Sequence, residues 1–182
     1  MKTSHIPLAL LLAALPTAIN ADSRGRRIHA DLVGYQEVPS VSTPARGTFR
    51  ARISDDRSSI DYELSYSDLV GTVQQSHIHF GQTAVNGSIV IWLCQTATMP
   101  APAAVAGITP MCPQSGTVTG TITAANVVAA GTASQQIAAG ELNEVIAAIR
   151  AGVAYVNVHA TPLNPGGEIR GQINDDRGGD GR

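Results

Sequence analysis

Two alternating stretches about 80 residues apart constrain this chain more than anything else in it. One is Gln74-Gln75-Ser76-His77-Ile78-His79-Phe80-Gly81, and the other is Ala154-Tyr155-Val156-Asn157-Val158-His159-Ala160-Thr161-Pro162. Both repeat with period two around β-branched residues, Ile78 in the first and Val156, Val158 and Thr161 in the second, the pattern of strands. Together they hold three of the five histidines. Successive side chains of a strand point to opposite faces, so His77 and His79 share one face and Ile78 takes the other. The same parity puts Tyr155, Asn157 and His159 on one face, with Val156 and Val158 behind them. If the fold sets these strands side by side, three imidazoles converge above an aliphatic layer.

The rest of the chain reads as more of the same architecture. Residues 28–32 alternate as a first strand, followed by a Pro-bounded corner holding Gly34, Tyr35, Gln36, Glu37 and Pro39. Residues 47–53 and 59–66 form a hairpin across Ser54-Asp55-Asp56-Arg57, whose Ser and Asp side chains favour a turn. Residues 88–93 are nearly all apolar and suit a strand buried on both faces, and residues 116–122 alternate through threonine. Residues 124–152 change to alanine-rich sequence with a 3.6-residue period. Leu142, Val145, Ile146 and Ile149 fall on one helical face, Glu141 and Glu144 lie toward the N-terminal end, and Gly152 suits the stop. After the second histidine strand, residues 162–167 read as a turn and 168–173 as a final strand. Seven or eight short strands with Gly/Pro corners imply an all-β fold, an antiparallel Greek-key-like β-sandwich with one short inserted helix.

Charge and length restrict the functional classes. Only 14% of the 182 residues are charged and the formal net charge is −2, so nothing suggests a nucleic-acid surface. Residues 1–21 carry Lys2, an apolar run from Ile6 to Leu15 and a small-residue end, the pattern of a secretory signal peptide, and the run is too short for a transmembrane helix. Residues 22–27 are expected to form a mobile leader, 28–174 the domain, and 175–182 a disordered polar tail. An exported domain with Cys94 and Cys112 is expected to join them in a disulfide, contributing roughly 3 kcal/mol in the chain-entropy model. Two thiolate metal ligands are the competing reading, and the intervening loop, which carries Pro100, Pro102 and Pro110, lacks a further cysteine or histidine.

Three segments in order resemble the CHRD domain, the module repeated in chordin, the extracellular antagonist of bone morphogenetic proteins, and also found as single exported bacterial domains. They are Gly34-Tyr35-Gln36-Glu37-Val38-Pro39, then His77-Ile78-His79-Phe80-Gly81 with Asn86-Gly87, then Tyr155-Val156-Asn157-Val158-His159 followed by Asn164-Pro165-Gly166-Gly167-Glu168-Ile169-Arg170-Gly171-Gln172. The resemblance covers about residues 28–174. More loosely, the His-x-His strand is similar to the copper-site strand of Cu/Zn superoxide dismutase. His159 resembles that family's later copper histidine in placement, and Arg170 its active-site arginine. No histidine lies between Phe80 and Val158, so the bridging histidine and remaining zinc ligands of that family have no counterparts.

These residues suggest a mononuclear site of three neutral imidazoles at His77, His79 and His159, for copper first and zinc second. Asn157 and Glu168 are candidates to hold the free ring nitrogens. Glu37 either orients a histidine or accepts backbone N–H groups at its corner, and Arg170 either steers an anion or pairs with Glu168 or Glu37. Trp92 and Tyr155 read as core or site-wall rings. The opposite reading makes the histidines hydrogen-bonded supports of a turn, in a structural or extracellular protein-interaction module without metal. A smaller branch is a dismutase-like enzyme with one copper. No nucleophile signature appears: Ser76 and His77 are neighbours in a strand and face opposite ways.

Overall fold

The computed structural model describes residues 26–175. Its strands are β1 (Arg27–Val33), β2 (Arg46–Ile53), β3 (Ser59–Ser67), β4 (Thr72–Phe80), β5 (Ser88–Cys94), β6 (Gly116–Thr123), β7 (Ala154–Thr161), β8 (Asn164–Gln172) and β9 (Asn174–Asp175). Two α-helices, α1 (Ala103–Ala106) and α2 (Leu142–Arg150), lie between strands. The expected signal peptide, and most of the expected leader and tail, lie outside the described residues.

The strands are hydrogen bonded in the order β5-β4-β7-β8-β1-β2-β3-β6, every pair antiparallel, with β9 on β1. The sheet curls round one core until its two ends approach: Tyr62 on β3, the neighbour of edge strand β6, donates its hydroxyl to the Leu93 carbonyl of β5 at 2.7 Å. This is the antiparallel, all-β sandwich that the alternation implies, closed far enough to approach a barrel. Where one face meets water, period-two burial is plain. On β1, Ile28, Ala30 and Leu32 are buried and their neighbours exposed. β7 breaks the rule, since seven consecutive residues are buried. Val156 and Val158 join the core on one side, while Tyr155, Asn157 and His159 are covered on the other by chain outside the sheet.

That cover comes from two connections. One follows β1 and runs through a 3-10 turn at Gly34–Gln36 to Ala45. The other is the loop 81–87 between β4 and β5. Asn86 joins them by donating its side-chain amide to the Val38 carbonyl at 3.2 Å.

Several element boundaries move from their expected places. Arg27 opens β1 and the Arg26 carbonyl accepts from Ile53 N–H, so ladder bonds order these last two residues of the expected leader. Asp175 pairs with Ile28. The expected turn at 162–167 shrinks to Pro162 and Leu163, because Asn164 already pairs with Ala160 across the hairpin. β5 is an edge strand, and its outer residues Ser88, Ile89 and Trp92 line an apolar groove of about 770 Å³ instead of a second layer. The helical segment is placed as expected, and Gly152 just beyond it takes φ +70°.

Cys94 and Cys112 form a disulfide, with Cα atoms 5.0 Å apart. Inside the excursion that it closes, Gln95 acts as a hub. Its side-chain nitrogen donates to the Ala106 and Thr109 carbonyls at 2.7 and 2.8 Å, and its oxygen accepts from Ala101 N–H at 2.8 Å. Those bonds frame the single turn α1, which the proline-rich sequence did not announce.

Candidate metal centre

β4 and β7 pair directly, with His77 opposite Asn157 and His79 opposite Tyr155. Ile78 is fully buried in the core, so the other face of β4 must carry His77 and His79. From Gln75 to Phe80 the register of β4 against β7 is unbroken, so His159 falls opposite Gln75, two residues from His77 and on the same face. The three imidazoles therefore meet, with one candidate ligand atom from each lying within 4.8 Å of the others. His77 Nδ1 and His159 Nε2 stand 3.2 Å apart.

Tautomers follow from the partners. A carbonyl oxygen can only accept, so His79 Nδ1 donates to Gly87 O at 2.9 Å and His159 Nδ1 donates to Pro165 O at 2.9 Å. Each ring, when neutral, then carries its lone pair on Nε2. The Nε2 of His79 is buried and has no hydrogen-bond partner among the described residues. Burial keeps the rings neutral. It holds His77 well below its ordinary pKa, helped by His159 and His79, brings His79 down to about 4, and lowers His159. A buried, neutral, outward-facing lone pair costs free energy unless an acid takes it. A metal ion is such an acid, and the donor set suits one.

The rings are held from behind. His79 stacks on Tyr155 with centroids 4.6 Å apart and planes 6° from parallel, and His77 meets Trp92 edge-on at 4.3 Å. Trp92 and Tyr155 are thus walls of the site, as their types suggested.

The candidates around the histidines divide. Backbone carbonyls hold the Nδ1 atoms of His79 and His159, the place expected for Asn157 and Glu168. Asn157 instead puts its side-chain oxygen 3.0 Å from His159 Nε2. Glu168 is fully buried but turned away, accepting from the Thr43 hydroxyl at 2.6 Å and Val70 N–H at 2.8 Å. Arg170 is 1% exposed. Its Nη2 donates to the Gln82 and Val85 carbonyls, each at 3.0 Å, so the guanidinium pins the loop 81–87. The expected ion pair of Arg170 is absent at contact distance among the described residues. Glu37 is buried beside Asn157, and burial raises its pKa to about 7 against the opposing pull of Arg170, Val38 N–H and Asn157.

Fold and site together define an antiparallel β-sandwich with a buried three-histidine cluster on the outer face of one sheet region, under two covering loops. The CHRD domain model matches residues 28–173, and the chain belongs to that family. No curated protein and no solved structure matches the chain.

Proposed function

We propose that this is an exported CHRD-domain protein that binds one copper-type metal ion through His77, His79 and His159, with zinc as the second choice. The convergence of three buried imidazoles, with ligand atoms within 4.8 Å, carries the proposal. Neutral imidazoles suit copper and zinc, and intrinsic affinity favours copper(II) among the divalent ions. The carbonyls on His79 and His159 Nδ1 are outer partners of the kind that orient ligating rings. When bound, copper would supply a redox-active centre. The chain's own residues hold the rings, exclude water and keep the imidazoles unprotonated. His77, His79 and His159 are 0%, 7% and 6% exposed, an enclosure that favours keeping an ion over exchanging it. The disulfide supports an oxidising compartment and hence export.

Metal analysis and copper titration of the mature domain, beside His77→Ala, test this reading. One copper per chain with nitrogen hyperfine structure in the electron paramagnetic resonance spectrum, absent from the variant, is the expected result. Weak binding that is indifferent to the substitution would return the histidines to a structural role.

A further inference from the structure

We infer that Asn157 supplies a fourth ligand, its side-chain oxygen, to the ion held by His77, His79 and His159, and that Glu37 sets the direction in which that amide points. The inference rests on the metal reading above and adds a donor to it.

The proton of His159 is fixed on Nδ1 by the Pro165 carbonyl, so Nε2 of the neutral ring offers only a lone pair. The Asn157 Oδ1, 3.0 Å away, also offers only lone pairs. Two acceptors at hydrogen-bond distance with no proton between them repel. The Asn157 side chain also neighbours His79, whose Nε2 is buried without a hydrogen-bond partner among the described residues. Oδ1 therefore looks into the cluster at the nitrogens that would bind an ion.

A shared cation turns that repulsion into coordination. Donor atoms each about 2.0–2.1 Å from one ion lie roughly 2.8–3.4 Å apart for angles from square to tetrahedral. Both the Asn157–His159 separation of 3.0 Å and the His77–His159 separation of 3.2 Å fall in that range.

An amide can be turned by half a revolution, so something must hold this one. Asn157 Nδ2 and Glu37 Oε1 pack against the same side of Gly167, where an added Cβ would meet both. Glu37 Oε1 is buried without a hydrogen-bond partner among the described residues and, as an acceptor, attracts the amide's N–H side, which sends Oδ1 toward the histidines. Three imidazoles and one neutral oxygen make a harder donor set than three nitrogens alone, so copper(II) and zinc should be preferred to copper(I).

The test uses the mature, disulfide-intact chain, grown with asparagine carrying carbon-13 in its side-chain carbonyl and loaded with one equivalent of copper(II). Electron-nuclear double resonance should show a carbon-13 coupling in the wild type that disappears in Asn157→Asp. That variant should keep copper through its carboxylate, whereas Asn157→Leu should weaken binding about 10–100-fold. Because the wild-type spectrum is decisive, the inference stays falsifiable even if Asn157→Leu does not fold. Copper bound with imidazole nitrogen couplings but no carbon-13 coupling would overturn the fourth ligand and leave the three-histidine site intact. Failure of the wild type to bind copper(II) stoichiometrically would overturn both.

Discussion

Arg170 lies over Tyr155, its guanidinium carbon 3.3 Å from the ring centroid. A ring face has room for one such partner, so His79, stacked at 4.6 Å, takes the other face. The resulting stack ties the loop 81–87 to the site twice. Arg170 holds the Gln82 and Val85 carbonyls, and His79 holds that of Gly87. Arg170→Met should strand two carbonyls and lose the cation–π contact, costing about 3 kcal/mol in urea denaturation. Amides of residues 82–87 should exchange faster with solvent. Arg170→Lys should recover only part of the loss, because an ammonium cannot reproduce the planar fork. Unchanged exchange in the loop would show that Arg170 does not pin it.

Gly167 closes the opposite side of the site. It takes φ +132°, where a side chain is strained, and an added Cβ would overlap the Glu37 carboxylate and the Asn157 amide. Gly167→Ala should destabilise the fold by about 1–3 kcal/mol and lower copper affinity by displacing that pair. Gly166→Ala is the control: open space surrounds its Cβ, and both stability and metal binding should stay within experimental error. Equal behaviour of the two variants would mean that the close approach at Gly167 is not sustained.

The parity of the histidine strands was legible because period-two alternation is a local property. Ile78, Val156 and Val158 declare the core face, and the histidines must then take the other. The pairing of β4 with β7 was not legible, because contact between residues 82 apart depends on the whole strand order, and the register of the two strands decides which residue faces His77. Asn157 could be placed on the right face but not at its depth, since its role is set by Glu37 from a different connection. Arg170 and Glu168 share a face and look like ion-pair partners of each other or of Glu37. Separate segments draw them apart: the loop 81–87 offers carbonyls to Arg170, while Thr43 and Val70 N–H, the latter from the β3–β4 connection, take Glu168. Helix α1 leaves no signal in the sequence because four residues are too few for a periodic pattern, and the bonds of Gln95 that frame it are tertiary.

The disulfide should matter chiefly to the excursion that it closes. Cys94→Ala with Cys112→Ala opens a loop of 18 residues, and the chain-entropy model puts the loss near 3 kcal/mol. Gln95 sits beside Cys94 and its bonds to Ala101, Ala106 and Thr109 are independent of the sulfurs. Cys94 also ends the strand opposite Ser76, next to His77, but its side chain belongs to the hydrophobic core on the face away from the histidines. The double variant should therefore show a lower denaturation midpoint with copper binding retained. Loss of copper binding in a variant that still folds would mean that the disulfide positions the site.

Acid should weaken the metal-free fold in a window set by the histidines. His77, His79 and His159 all have folded pKa values below the ordinary 6.5, with His79 near 4. Between these limits the unfolded chain binds more protons than the native one, so stability is complete above about pH 6.5 and falls as the pH drops toward 4. Glu37 acts the other way. Its folded value near 7 lies above the ordinary 4.5, so its contribution is complete below 4.5 and fades as the pH rises through 7. Three histidines outweigh one carboxyl, and the net slope between pH 6.5 and 4 should be a loss of stability on acidification. Urea denaturation of the metal-free protein at stepped pH measures it directly. In His77→Ala and His159→Ala the slope should be shallower, since each removes one group that resists protonation in the folded state. A slope as steep as wild type in both variants would mean that these rings are not buried in neutral form.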